Sequence, residues 1–125
     1  MTALNLKRVD AVVLGIRALN TNERIRFTMP ILLDYVKAGG TLVIQYNTNN
    51  DSEIESTKFS LYPITLSRER VTQENSEVRI LKPNHSALNH PNKITDADFD
   101  GWIQERVLYF PSTWSDSYEA LLSNE

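Results

Sequence analysis

At 125 residues the chain has room for one domain and not for two. Its 13 Lys and Arg stand against 16 Asp and Glu, a formal net charge of −3, with no clustered basic block of the kind a nucleic-acid surface needs. The absence of cysteine excludes disulfides, thiolate metal sites and a cysteine nucleophile, and no apolar run approaches the ~20 residues of a membrane-spanning helix.

In chain order, Met1 to Asp10 lacks the apolar run of a signal peptide, and localisation stays open between cytoplasmic and exported. Ala11-Val12-Val13-Leu14 is a short continuous apolar run that Gly15 ends, and Thr41-Leu42-Val43-Ile44 repeats it after Gly39-Gly40. Such runs suit strands of a parallel sheet covered on both faces. Between them Ile25, Met29, Leu32, Leu33 and Val36 fall at helical spacing. Asn22 is the expected cap of this helix, and Gly39 its expected stop at C′. Pro30 should kink or divide it. Strand, helix from about Glu23 to Ala38, and strand make a βαβ unit, whose crossover is right-handed by default.

Farther along, Asn49 to Ser52 reads as a turn or loop and Tyr62 to Val71 as an irregular strand. The alternation of Glu77 to Leu81 suits a half-exposed strand. Pro83, Asn84 and Pro91 mark Lys82 to Asp98 as loop, and Thr95 to Asp98 can cap a helical turn ending near Gly101. Arg106 to Phe110 is a third apolar run, stopped by Pro111. Ser115 to Leu122 is a short helix candidate.

Asn20-Thr21-Asn22 follows the first strand and Asn47-Thr48-Asn49 the second. In a parallel sheet both lie at the carboxyl ends, where open α/β sheets bind ligands. With Arg17 and Tyr46 beside them they would form a polar crevice for a hydroxylated or anionic ligand. Glu105 and Arg106 join it if their strand lies alongside. The competing reading is that Asn and Thr are ordinary turn formers. If the crevice binds, Asn47→Ala should weaken binding with little change in melting temperature.

Other chemistries lack their residues. His85 and His90 sit in a proline-containing loop with no HExxH arrangement. No G-x-S-x-G, G-x-G-x-x-G or P-loop occurs. An EF-hand register starting at Asp96 places Gly101 correctly but puts Val107 where the closing Glu belongs. Trp102, Tyr109, Phe110 and Trp114 concentrate aromatic mass, either as core or as a partly open patch for a sugar or a partner domain.

Several strings resemble a known region: Gly15 to Asn22, Tyr35 to Gly40, Val43 to Thr48, Asn89 to Thr95, Trp102 to Arg106 and Tyr109 to Pro111. They resemble the C-terminal domain of bacterial PIG-L/LmbE-like deacetylase proteins, which has a class I glutamine amidotransferase-like, or trehalose-utilisation-protein-like, α/β fold. The resemblance implies a partial flavodoxin-like parallel sheet with flanking helices, and an interior or truncated segment of that domain. It also implies an upstream deacetylase domain as partner.

Two departures matter. The cysteine of true amidotransferases is missing from the matching region near Gln45-Tyr46-Asn47. The Pro-His-x-Asp-Asp-Glu string of the zinc deacetylases is missing too. The expected function is therefore a non-catalytic accessory domain, without cofactor or metal, that helps position a glycan-like substrate. The alternatives are a structural or self-associating module and an independent hydrolase of unrecognised chemistry.

Overall fold

The structure, a computed structural model, describes residues 6–49, 59–73, 75–102 and 107–124. Among these residues it is a mixed α/β arrangement with one parallel and three antiparallel strand pairs. Strand β1 (Ala11–Leu14) lies parallel to β2 (Thr41–Ile44), with Ala11 opposite Thr41 and Leu14 opposite Ile44. The helix Ile25–Lys37 crosses between them, as the apolar runs and the helical spacing imply.

This helix buries Ile25, Met29 and Leu32 along one stripe, the i, i+4, i+7 pattern of an amphipathic helix. It runs through Pro30 without being divided. Pro30 and Arg26, whose carbonyl a proline nitrogen cannot bond, are both exposed residues. The missing bond therefore falls on the solvent side. Helix entry differs from expectation in detail. Asn22 stands ahead of the first turn, where its Oδ1 accepts the Arg24 N–H at 3.0 Å. A short helical turn, Ala18–Thr21, precedes it.

The helix stop is as expected. Gly39 has φ 97, the left-handed value that glycine adopts without steric cost. Its N–H donates to Val36 O and that of Gly40 to Tyr35 O, both at 2.9 Å. This is the paired ending that satisfies two otherwise orphaned helix carbonyls.

The core lies between helix and sheet. Leu14, Leu19, Ile25, Met29, Leu32, Leu6 and Phe59 are buried together, with Val12, Leu42, Ile44, Ile64 and Leu66 packed against them. The expectation of strands covered on both faces fails. Val13 and Val43, which alternate to the other side of β1 and β2, remain 60% and 46% exposed. Among the described residues the helix lies on one face, and each of the two strands has one paired edge.

Four of the other strands form a bent antiparallel ribbon. Strand β3 (Ile64–Leu66) pairs with β7 (Pro111–Trp114), and β4 (Arg70–Val71) pairs with β6 (Val107–Leu108). The third apolar run therefore does not extend the β1–β2 sheet. Pro111 opens β7 where the sequence predicted a stop. Two backbone bonds span the bend: Ser67 N–H to Phe110 O at 2.9 Å and Tyr109 N–H to Glu69 O at 3.0 Å.

The last pair joins β5 (Val78–Ile80), the expected half-exposed strand, to β8 (Leu122–Asn124). This corrects the helix expected over Ser115 to Leu122. The Ser117 N–H donates to Ser115 Oγ and Tyr118 N–H to Ser115 O, closing a turn. The Tyr118 hydroxyl then donates to Tyr62 O at 3.0 Å. These non-helical bonds, with the β5 ladder, outcompete a short isolated helix.

The 3₁₀ turn Asp96–Phe99 is capped as expected, with Asp98 Oδ2 accepting the Thr95 N–H at 2.7 Å. That acid serves a capping box.

Candidate functional site

The parallel register brings the loops after β1 and β2 to one end of the sheet, and the two asparagine tripeptides meet there. Continuing the ladder, Gln45 N–H donates to Leu14 O at 3.0 Å and Arg17 N–H to Tyr46 O at 2.8 Å. The side chains then take over from the backbone. Asn20 Nδ2 donates to Thr48 O at 3.0 Å, while Thr48 N–H donates to Asn20 Oδ1 at 2.9 Å. One amide group thus imitates a peptide unit and adds a further rung. Asn47 Oδ1 accepts the Leu19 N–H at 2.9 Å, and its Nδ2 donates to Gln45 O at 2.7 Å.

This clasp explains two buried polar side chains. Asn47 is 5% exposed and Asn20 is 9% exposed. Burial of an amide is tolerated because both of its ends are bonded. The expectation that Asn47→Ala leaves the melting temperature nearly unchanged gives way here, since the truncation would remove the buried bond from Leu19 N–H to Asn47 Oδ1.

The remaining predicted residues occupy the rim. Asn22 is exposed and engaged with Arg24 N–H. Thr21 Oγ1 donates to Arg17 O at 3.1 Å, so the first tripeptide turns all three side chains onto backbone. Arg17 is exposed, with a left-handed φ of 57. Tyr46 is exposed and its ring lies 6.1 Å from that of Tyr109, at 29° between planes. Glu105 and Arg106 lie outside the described residues.

Tyr109 is the member of this neighbourhood that sequence reasoning assigned elsewhere, to the aromatic concentration near the C-terminus. It is half-buried and carries the second left-handed non-glycine φ, 52. Trp102 and Trp114, its companions in that concentration, are 48% and 47% exposed, so the aromatic residues are not chiefly core.

At the opposite end of the sheet a cavity of about 500 Å³ lies under the helix C-terminus, lined by Leu6, Val9, Ile31, Tyr35 and Gly40 among others. Among the described residues the one group with a distinct shift is Glu119, far along the chain. Its carboxyl is held below the usual range by a hydrogen bond and the charge of Lys82, 3.1 Å away, with a smaller contribution from His85. Among the described residues no three His, Asp or Glu side chains converge as metal ligands would.

No family model, no curated protein and no solved structure matches the chain.

Proposed function

We propose that this chain is a non-catalytic accessory domain that binds a glycan-like, hydroxylated ligand at the carboxyl ends of β1 and β2. The resemblance supplies the setting: a flavodoxin-like, class I glutamine amidotransferase-like domain of a PIG-L/LmbE-like deacetylase protein. The deacetylase domain of that protein would be its partner. The observation that carries the reading is the clasp. Two loops from adjacent parallel strands are tied together by buried amides, while Arg17, Asn22 and Tyr46 stay exposed around them. A rigid base with a polar rim is what a carbohydrate site requires.

Calorimetric titration of the purified protein with oligosaccharides of N-acetylglucosamine tests this reading. Saturable binding supports it, and absence of heat across neutral and acidic glycans contradicts it. The protein alone should show neither glutaminase nor deacetylase turnover, because the sequence has no cysteine and no zinc-binding string of the deacetylase type.

A second reading, a self-associating module, is favoured by the uncovered sheet face. Val13 and Val43, opposite one another in the sheet, are 60% and 46% exposed. Parallel strands are ordinarily covered on both faces, and a contiguous apolar face marks an association surface. Light scattering across a dilution series separates the two readings, since association predicts a mass that rises with concentration.

A further inference from the structure

We infer that Tyr46 and Tyr109 form a stacking platform for a pyranose ring, and that the two clasp asparagines hold this platform in place without contacting the ligand. The inference rests on the glycan-binding reading and identifies the atoms that would do the binding.

Three observations converge on Tyr46. First, both non-glycine residues with positive φ among the described residues adjoin it. Arg17 donates its N–H to Tyr46 O at 2.8 Å, and the Tyr109 ring lies beside the Tyr46 ring. A bulky residue in the left-handed region costs of order 1–3 kcal/mol and persists only where its surroundings enforce it. At Tyr109 the enforcing bonds are those that span the bend of the ribbon, Tyr109 N–H to Glu69 O and Ser67 N–H to Phe110 O. Along a regular strand, side chains alternate strictly between faces. The left-handed residue between β6 and β7 breaks that alternation, much as a bulge re-aims a side chain, and the Tyr109 ring meets Tyr46.

Second, the ring geometry leaves aromatic surface open. A centroid separation of 6.1 Å at 29° is too long for two fully overlapping faces, which touch at about 3.5–4 Å. The two stacked rings are therefore not fully overlapped. Tyr46 stays 36% exposed. Neither hydroxyl has a hydrogen-bond partner among the described residues.

Third, charge selects the ligand. A stepped aromatic surface could stack a nucleobase or a sugar. Base-stacking platforms accompany a basic groove for the phosphates, whereas this chain carries −3 and no basic block. A pyranose presents an apolar C–H face to an aromatic ring and hydroxyls at its edge. The part-exposed tyrosine rings suit the former, and their phenols and the exposed Arg17 suit the latter. Asn20 and Asn47 are already bonded to backbone at both ends of their amides, which makes them supports.

The test is calorimetric titration of the whole chain with N,N′,N″-triacetylchitotriose and with cellotriose, alongside proton NMR of the tyrosine ring signals. Tyr46→Ala and Tyr109→Leu should each weaken binding about tenfold or more, the scale of removing one stacking ring. Tyr46→Trp should retain it. In the unaltered protein the ring signals of Tyr46 and Tyr109 should shift as sugar is added, a readout that needs no variant to fold. Binding that ignores both substitutions and leaves those ring signals in place overturns the platform while leaving the accessory-domain reading intact. An unaltered protein that binds neither sugar overturns both.

Discussion

Gly39 and Gly40 are neighbours held to glycine by different forces. Gly39 has open space where a Cβ would stand but a φ of 97, so its constraint is torsional. Gly39→Ala should cost about 1–2 kcal/mol. Gly40 has no such torsion, but the Tyr35 ring occupies the place of its Cβ. The Tyr35 hydroxyl donates to Val9 O at 3.2 Å, so the ring cannot swing away without releasing the segment before β1. Gly40→Ala should therefore cost about 1–3 kcal/mol by overpacking, and most of that cost should vanish in a Tyr35→Ala background. Urea melts of the four proteins in this cycle check both statements. Glu119 offers a pH test at the same scale. Its folded carboxyl titrates below its ordinary value because of Lys82, so its contribution is present above the ordinary carboxylate range and is lost as pH falls through the lowered value. Glu119→Gln should flatten that acid limb slightly, since the pair is exposed and screened. Carbon-detected NMR titration of the side chain should place its midpoint below that of an unpaired glutamate.

Among the elements, those that declare themselves locally were legible in the sequence. The two apolar tetrapeptides, the Ile25–Val36 stripe and Gly39 each carry their own signal, and β1, the crossover helix and β2 follow from them. The ribbon does not work that way. Val71 pairs with Val107 and Ile64 with Trp114, and no local pattern announces partners so distant in the chain. The run around Val107 was therefore easy to assign to the wrong sheet. The site divides likewise. The meeting of Asn20 and Asn47 followed from strand direction alone. Tyr109 entered through a left-handed residue that tyrosine rarely adopts. The clasp makes a prediction of its own. Asn20→Ala would leave the Thr48 N–H and C=O without that partner, and Asn47→Ala the Leu19 N–H; each should cost about 1–3 kcal/mol. Thermal melts should show both changes larger than that of Asn22→Ala, whose bond to the Arg24 N–H is exposed to solvent.

For the whole molecule, the relevant feature is the unequal covering of the sheet. Val13 and Val43 present apolar surface on the face away from the helix, and the outer edges of β1 and β2 pair with no other strand among the described residues. Open edges and apolar faces promote association. A Val13→Thr, Val43→Thr pair of substitutions should lower the fraction of associated species in light scattering, with the fold unchanged by circular dichroism. No helix among the described residues is long and apolar enough to cross a membrane.

Asparagine side chains tie the loops after β1 and β2 together in the free protein. Amide hydrogen exchange followed by NMR, with and without triacetylchitotriose, addresses this most directly. The Leu19 and Thr48 amides should be protected before any sugar is added, to a degree matching the β1–β2 ladder. The amides around Tyr46 and Tyr109 should gain protection on addition. Exchange of Leu19 and Thr48 at unprotected rates in the free protein would contradict the clasp and the binding surface built on it.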